Sequence, residues 1–332
     1  MGDNGKISDV DMRSPDFGQF VGISPIMNDI YQKIQNIAAT TVPVFITGES
    51  GTGKEICAQA IHKNSSRSNK PFVALNCAAL SQTLVDSALF GHVKGAYTGA
   101  IKDRAGAIAL ACGGTLFLDE VCDMPLDIQA KLLRFTQDQQ YQKLGSDKFE
   151  KADVRLICAT NSDVESKIEE NNFREDLYYR LNSFPIHMPA LRDRGGDIIN
   201  LAYFFLSKYA RENNKHPREF SDNAKELLKS YPWPGNIREM QNVIRQIIAQ
   251  HNHPVINISM LPDPVKKAPF QNQNKTDMGL QHLRMPLWRI EKQAIENTIR
   301  LCSGNIPKAA AILDISPSTI YRKKKAWEEK EH

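Results

Sequence analysis

Short apolar runs alternate with amphipathic segments along the first part of the chain. The runs are rich in β-branched and aromatic residues and are typical of buried strands. They are Val42–Thr47, Phe72–Asn76, Thr115–Asp119 and Val154–Thr160. The segments between them repeat their apolar positions with helical spacing. They are Asn28–Ala39, Glu55–His62, Leu126–Gln137 and Glu165–Glu175. Strands that alternate with helices predict an α/β fold, in which a parallel sheet is covered by helices on both faces.

The pattern becomes entirely helical after Phe184–Met188. The helical segments are Gly196–Glu212, Ser221–Lys229 and Ile237–His251. They predict a second, α-helical subdomain. Residues 262–286 are polar, contain four prolines and show little periodicity, so we interpret them as a linker. Residues 287–332 then predict a small all-α domain.

Composition places the chain among ordinary soluble globular proteins. It has 332 residues, of which 41% are hydrophobic and 24% charged, and this length predicts two or three domains. No apolar run approaches the ~20 residues that a membrane-spanning helix needs, and the polar lead, residues 1–19, carries no secretory signal. We therefore expect a cytoplasmic protein with no membrane partner. The six cysteines form no CxxC pair, which predicts reduced core thiols and not disulfides or a zinc site.

A glycine-rich turn joins the first strand to the helix that follows it. Its residues are Gly48, Glu49, Ser50, Gly51, Thr52, Gly53 and Lys54. In this context main-chain N–H groups and the helix N-terminus bind phosphate oxygens, and the lysine adds a positive charge at the β- and γ-phosphates. The turn therefore predicts an ATP site. Glu55 stands where the general pattern has a Mg²⁺-binding hydroxyl, so we expect Mg²⁺ to depend on Asp119, water and Thr52.

The second half of the predicted site is the run Gly113–Glu120. Thr115 and three apolar residues carry the chain through the sheet to two carboxylates at its C-terminal edge, where ligands bind in open α/β sheets. We expect Asp119 to hold the Mg²⁺ shell and Glu120 to polarise the attacking water, because phosphoryl transfer needs a positioned nucleophile and charge compensation.

A glycine-bracketed loop lies between these two halves. Its residues are Gly95, Ala96, Tyr97, Thr98, Gly99 and Ala100. The glycines allow a tight reversal of the backbone. The reversal predicts that Tyr97 and Thr98 lie at an exposed tip, where an aromatic ring and a hydroxyl contact another molecule.

The C-terminal segment predicts a helix-turn-helix. Residues 286–332 hold nine Lys or Arg against six Asp or Glu, and Ser316-Pro317 is an N-cap followed by proline. We expect Ser318, Thr319 and Arg322 near base edges of double-stranded DNA. The residues expected to face phosphates are Lys308, Lys323, Lys324 and Lys325. Ile320 and Trp327 are predicted core residues, and Tyr321 fits either backbone contact or packing. A helical dimerisation or docking module is the alternative.

Several motifs together resemble one family. They are GESGTGKE (48–55), FGHVKGAYTGA (90–100), GGTLFLDE (113–120), ATN (159–161), FREDLYYRL (173–181), LRDRGGDI (191–198) and WPGNIRE (233–239). From about Phe20 to His332 the chain resembles AAA+ ATPases of the bacterial enhancer-binding type, which activate RNA polymerase carrying the sigma-54 factor.

The resemblance implies roles for further residues around the nucleotide. Asn161 matches the first sensor, which reads the γ-phosphate or its water, and Asn76 matches a residue that holds Glu120 in an idle orientation. Arg238 matches the second sensor. Val21, Gly22 and Ile23 match the adenine-side loop, which binds mainly through its backbone.

The resemblance also implies assembly and partners. Arg174 and Arg180 match arginine fingers that act on the neighbouring protomer, which implies a homo-oligomer, from a dimer to a hexameric or heptameric ring. The loop 95–100 is expected to push on the sigma factor of the polymerase, and the C-terminal domain to bind an upstream enhancer site as a Fis-type dimer. Two residues depart from the family pattern. Tyr97 replaces a phenylalanine, and Ala88 replaces a glutamate near the base of the loop.

The implied organisation has five parts. They are a polar lead (1–19), an α/β ATPase subdomain (20–190), a helical lid (191–261), a linker (262–286) and a helix-turn-helix domain (287–332). SPSTIYRKKKAW, FGHVKGAYTGA and KLLRF are similar to the LuxO-like quorum-sensing regulators of two-component phosphorelays. Many relatives begin with a receiver or sensing domain, so this chain is either truncated or regulated in trans.

Two other functions fit part of the sequence. Another AAA+ remodelling ATPase, such as a helicase loader or an unfoldase, would need the same nucleotide residues but lacks the hexamer 95–100. A DNA-binding repressor with an inactive ATPase would need neither Lys54 nor Glu120 intact.

Overall fold

The structure is a computed structural model that describes residues 20–78, 82–213, 215, 219–266, 287–302 and 304–328. The chain forms two compact units, Met1–Lys266 and Lys267–His332. In chain order the described elements of the first unit are α1 (Pro25–Ala38), β1 (Val44–Thr47), α2 (Lys54–Lys63), β2 (Phe72–Asn76), α3 (Gln82–Phe90), β3 (Gly91–His92), β4 (Arg104–Ala105), α4 (Ala107–Leu110), β5 (Thr115–Asp119), α5 (Leu126–Asp138), β6 (Gln140–Gln142), β7 (Phe149–Lys151), β8 (Arg155–Thr160), α6 (Val164–Glu169), α7 (Glu175–Leu181), β9 (Phe184–His187), α8 (Asp197–Glu212), β10 (Glu219–Phe220), α9 (Asp222–Ser230), α10 (Asn236–Gln250) and β11 (Val255–Ile256).

The main sheet has five parallel strands in the order β2-β5-β8-β1-β9. Its register aligns Asn76 with Asp119 and Thr47 with Thr160, so the carboxyl ends of four strands lie level. β5 and β8 are almost wholly buried because apolar clusters cover both faces of the sheet. The predicted α/β fold with a covered parallel sheet is confirmed.

Two small hairpins project from this body. In one, β3 pairs with β4 around the glycine-bracketed loop, and in the other β6 pairs with β7. Main-chain bonds join them, because Val93 N–H donates to the Leu144 carbonyl and Leu144 N–H to that of Gly91, both at 3.0 Å. Neither hairpin was predicted, since strands of two or three residues are too short to show a period of two.

The helix predicted over Glu165–Glu175 is wrong in its second half. α6 ends at Glu169, and Asn171 takes a left-handed conformation (φ 55°) that breaks the helix. The buried Gln129 side chain satisfies the backbone after the break. Its amide donates to the Asn172 carbonyl (2.9 Å) and accepts from Arg174 N–H (2.9 Å).

The helical subdomain is formed by α8, α9 and α10 as predicted. Trp233, which lies between α9 and α10 in the chain, has no solvent exposure and donates its indole N–H to the Leu228 carbonyl at 2.9 Å. No helix in the described ranges is both long enough and apolar enough to cross a lipid bilayer. Four of the six predicted core thiols are buried, whereas Cys112 is exposed in a turn and Cys302 is partly exposed.

The second unit contains α11 (Leu287–Leu301), α12 (Ile306–Ile312) and α13 (Pro317–Glu328). Ile320 and Trp327 are buried with Ile295 and Ala310, so their predicted core role is confirmed. The turn before α13 contains Asp314 in a left-handed conformation (φ 52°). The linker prediction falls mostly on residues 267–286, which lie outside the described residues.

Gln129 makes a testable contribution to this fold. Q129A leaves two main-chain carbonyls, of which that of Met124 is buried, and one N–H without their partner, so we expect the free energy of unfolding to fall by about 1–3 kcal/mol. Urea unfolding measures it. The exposed Gln137 on the same helix provides the control, because Q137A is expected to change stability by less than about 0.5 kcal/mol. Equal effects of the two substitutions would contradict the assignment.

Candidate functional site

The glycine-rich turn has the backbone that phosphate binding requires. Gly48, Gly51 and Gly53 have φ of 147°, 80° and 99°, which L side chains rarely adopt, and α2 begins at once with Lys54. A side chain at position 51 would meet the carbonyl oxygen of Gly235 at 2.5 Å. The phosphate loop therefore packs directly against the residues that precede α10.

Lys54 connects the turn to the acidic strand end. Its ammonium donates to the Gly48 carbonyl at 2.8 Å and lies 3.8 Å from Oε1 of Glu120. The side chain is 7% exposed, and this burial lowers the pKa of Lys54 while the carboxylate of Glu120 acts in the opposite direction.

The two carboxylates after β5 have different partners. Asn76 Nδ2 donates to Oδ2 of Asp119 at 3.4 Å, and Glu120 accepts from the main-chain N–H of Asn161 at 2.9 Å. Glu120 has a left-handed backbone (φ 52°) that turns its side chain back toward the phosphate loop. Asn76 thus contacts Asp119, because the register places the two residues level, and its predicted hold on Glu120 stays a prediction.

A cavity of about 270 Å³ adjoins these groups. Val21 lines it on one side and Arg238 on another, as predicted. Ile23 does not line it, since its side chain is 55% exposed and its N–H is bonded to Asp197. Part of the apolar wall, which the sequence interpretation missed, comes from α8 through Leu201 and Phe205.

Carboxylate oxygens in the cavity wall suit Mg²⁺, a cation that prefers oxygen ligands and keeps several waters. Asp119 and Glu55 both line the cavity. Thr52 does not fit its expected role, because its hydroxyl is fully buried and donates to the Glu49 carbonyl at 2.8 Å. Within the described ranges no three His, Cys, Asp or Glu side chains form a metal cluster, so phosphate oxygens and water would have to complete the shell.

The phosphate loop is also bonded to the helical subdomain. Glu49 pairs with Arg192 and accepts from Nδ2 of Asn236 at 3.0 Å. Arg238 donates to the Ser50 hydroxyl at 2.8 Å. Arg192 and Asn236 were missed as site residues although both lie in the quoted motifs 191–198 and 233–239. The sequence does not indicate that they pair with Glu49, because more than a hundred residues separate them from it.

The two predicted finger arginines lie away from the cavity of their own chain. Arg174 is the N-cap residue of α7, where it pairs with Asp176 at 2.7 Å. Arg180 lies in the last turn and donates to the Thr136 carbonyl at 2.9 Å. Both side chains are exposed.

The loop 95–100 differs in part from its prediction. Thr98 is exposed, but the ring of Tyr97 folds back against His92, with ring centroids 5.0 Å apart. Tyr97 is therefore not at the tip, because its hydrophobic ring finds an aromatic neighbour at the base of the hairpin. The side chain that projects is Ile101, which is 81% exposed and was not predicted.

The second unit presents most of its predicted DNA-contacting side chains to solvent. Lys308, Ser318, Arg322 and Lys324 are exposed, and Thr319 is half-buried at the start of α13. Lys323 differs, because its ammonium is bonded to Glu291 of α11 and faces its own unit. The ambiguous Tyr321 is 59% exposed. Lys325 has no described side chain.

Three families match consecutive parts of the chain. They are described as the Sigma-54 interaction domain (residues 20–187), the AAA+ ATPase lid domain (192–278) and the Bacterial regulatory protein, Fis family (286–327). The chain therefore belongs to the AAA+ regulators that carry a sigma-54 interaction domain and a Fis-type helix-turn-helix.

Individual relatives agree with this class. The chain is 50% identical to "Regulatory protein LuxO" of Vibrio vulnificus (strain YJ016) over 323 residues, which are 96% of this chain and 71% of that protein. It is 41% identical to "Regulatory protein AtoC" of Escherichia coli (strain K12), covering 92% of this chain and 67% of that protein. The crystal structure of NtrX from Brucella abortus in complex with ATP matches with a TM-score of 0.69 and 34% identity, covering 93% of this chain and 69% of that one.

The bond between Glu49 and Arg192 predicts a pH-dependent stability. Hydrogen bonds from Arg192 and Asn236 lower the pKa of Glu49 from 4.5 to about 2. The stabilisation is therefore complete at neutral pH and is lost as the pH falls from about 4.5 toward 2. Because the side chain of Glu49 is 45% exposed, solvent screens the pair and the effect is modest.

E49Q tests this prediction in thermal unfolding of the apo chain. We expect E49Q to lower the midpoint at neutral pH, and the difference from the unchanged chain to shrink near pH ~3. The exposed Glu165 on α6 gives the control E165Q, which should match the unchanged chain at neutral pH. A difference for E49Q that is constant across pH would rule out the charged pair as its cause.

Proposed function

We propose that this chain hydrolyses ATP and uses the cycle to remodel the closed complex of sigma-54 RNA polymerase, so that promoter DNA opens. One observation carries the proposal. The carboxylate of Glu120 lies between the ammonium of Lys54 and the main chain of Asn161, so the phosphate loop, the acidic strand and the sensor strand converge on one point.

The proposed chemistry assigns a role to each group around the phosphates. The loop N–H groups and Lys54 bind the β- and γ-phosphates, and Asn161 lies next to the group that is transferred. Glu120 orients the attacking water and receives its proton. Mg²⁺, held by Asp119 with Glu55 close by, would supply charge compensation on the phosphate oxygens.

Arg174 and Arg180 extend the proposal to an oligomer. An arginine finger stabilises the charge that develops on the transferred phosphoryl group, which is worth about 10³–10⁵ in rate. Both side chains are exposed on α7 and neither lines the cavity of its own chain, which supports their use at the site of an adjoining copy in a hexameric or heptameric ring.

The two remaining surfaces supply the proposed partners. Thr98 and Ile101 on the β3–β4 hairpin contact the sigma factor, and α13 binds an upstream DNA site with Arg322 and Lys324. The proposed domain arrangement is an ATPase subdomain (20–190), a lid (191–261), a linker (262–286) and a DNA-binding domain (287–332). The family matches over 20–187 and 286–327 support the first and last of these parts, whereas the lid match over 192–278 extends beyond 261 into the proposed linker.

Open-complex formation on a sigma-54 promoter tests the proposed function. With purified holoenzyme and the full chain, we expect ATP to open the promoter and a non-hydrolysable analogue to fail.

E120Q tests the catalytic role of Glu120. It should bind ATP but hydrolyse it about 100-fold more slowly or worse, because it removes the proton acceptor, and it should not open the promoter. D138N, at an exposed end of α5, is the control and should behave like the unchanged chain. Opening that proceeds with the analogue would contradict the proposal, as would hydrolysis without opening.

Thr98→Ala separates the loop from the ATP site. Because Thr98 is exposed on the hairpin and lines no part of the nucleotide cavity, we expect T98A to hydrolyse ATP at an unchanged rate and to lose promoter opening. Ser68, another exposed hydroxyl, lies near the amino-terminal edge of the sheet, and S68A should leave both activities unchanged. Normal opening by T98A would remove the loop from the proposed mechanism.

A further inference from the structure

The segment at the nucleotide cavity, residues 20–24, is held by side chains from the adjacent helix α1 and from the distant helix α8. Phe20 and Val21 line the cavity. The hydroxyl of Tyr31, on α1, lies 3.1 Å from the carbonyl oxygens of both Phe20 and Gly22 and donates to them. The segment has no regular secondary structure before α1, so these side-chain bonds determine its path.

Asp197 holds the other end of this segment. It is the first residue of α8 and has no solvent exposure. Oδ1 accepts from the N–H groups of Ile23 (2.7 Å) and Ser24 (3.0 Å), and Oδ2 accepts from the Ser24 hydroxyl (2.6 Å). The approach is close, because a Cβ at Gly22 would lie 3.0 Å from Oδ2 of Asp197. Asp197 therefore ties the beginning of the lid helix to the wall of the cavity.

Arg194 connects the same turn to the phosphate loop. Its guanidinium is 1% exposed and donates to the carbonyls of Thr52 (2.7 Å) and Pro189 (3.0 Å). Burial lowers the pKa of Arg194 to about 10, and the negative charge of Asp197 opposes that shift. The pair Arg194 and Asp197 thus contacts the phosphate loop with one member and the segment 20–24 with the other.

We propose that Asp197 is a positioning residue for the nucleotide base, which holds the main chain of residues 20–24 so that Val21 reads adenine, while Arg194 fixes the phosphate loop at a set distance from it. This assignment rests on the proposed function only in requiring that the chain bind ATP. It does not require hydrolysis or a polymerase partner.

The chemistry of the segment favours adenine over guanine. The bonds made by Tyr31 and Asp197 use the carbonyls of Phe20 and Gly22 and the N–H groups of Ile23 and Ser24. The carbonyl and the N–H of Val21, which lines the cavity, are not used in these bonds, and we infer that they are the acceptor and the donor that meet the base. Adenine presents a donor at its N6 amino group beside an acceptor at N1, whereas guanine reverses the two at O6 and N1. A segment that is held in one position distinguishes adenine from guanine by these groups, whereas a segment free to move does not.

The test measures binding by the full chain of three ligands, namely a fluorescent ATP analogue, the matching GTP analogue and inorganic tripolyphosphate. D197A removes the acceptor of three hydrogen bonds, so we expect about tenfold or greater loss of affinity for the ATP analogue. Affinity for tripolyphosphate, which has no base, should change less than about twofold, and the preference for the ATP analogue over the GTP analogue should fall. Asp193, an exposed residue of the same turn, provides the control D193A, which should leave all three affinities unchanged.

Two further variants separate positioning from folding. D197N keeps an oxygen that accepts from both N–H groups, so we expect it to recover most of the ATP affinity although it loses the charge beside Arg194. R194A should weaken tripolyphosphate and ATP together, because it releases the Thr52 carbonyl. Equal losses for ATP and tripolyphosphate in D197A, or no loss in either, would overturn the proposal. If D197A fails to fold, S24A decides the question, since a reduced preference for the ATP analogue supports the proposal and an unchanged preference overturns it.

Discussion

The level carboxyl ends of four parallel strands are the constraint on which the nucleotide site depends. Backbone hydrogen bonds between β2, β5, β8 and β1 align Asn76 with Asp119 and Thr47 with Thr160. Apolar clusters on both faces of the sheet make a shift of register costly, because such a shift would move each side chain into the differently shaped packing of the opposite face. The phosphate loop, the acidic pair and Asn161 are extensions of these strand ends. The sheet sets the distances between these residues, and the ion pair between Lys54 and Glu120 joins the phosphate loop to the acidic strand end.

The lid is hydrogen-bonded to the same phosphate loop. Glu49, Ser50, Gly51 and Thr52 are bonded to residues that lie between 191 and 238, so the conformation of the phosphate loop is not determined by the sheet alone. Movement of the lid would break several of these bonds together. The phosphate loop and the helical subdomain are therefore joined by direct hydrogen bonds.

Sequence patterns predicted the parts of this protein that depend on local periodicity or on a glycine-rich turn. The strands Phe72–Asn76 and Thr115–Asp119 were predicted to the residue because they are apolar and end in polar side chains. The hairpins were not predicted, since they contain few residues and are held by bonds to each other. The assignments of Tyr97 and Lys323 failed for a related reason. Each side chain finds a partner, His92 or Glu291, that no spacing rule could identify. The roles of Arg174 and Arg180 came from the resemblance and those of the DNA-facing residues from the helix-turn-helix pattern, and all of them stay predictions.

Ile101 gives the β3–β4 hairpin a further property when several copies of the chain surround one axis. A single exposed isoleucine buries little area and binds weakly. Repeated once in every protomer of the proposed ring, the same side chain would form one of several equivalent apolar contacts. Once one protomer has engaged a partner, the others meet it at a high effective concentration. Each contact can then be weak enough to release quickly while the assembly as a whole retains its hold.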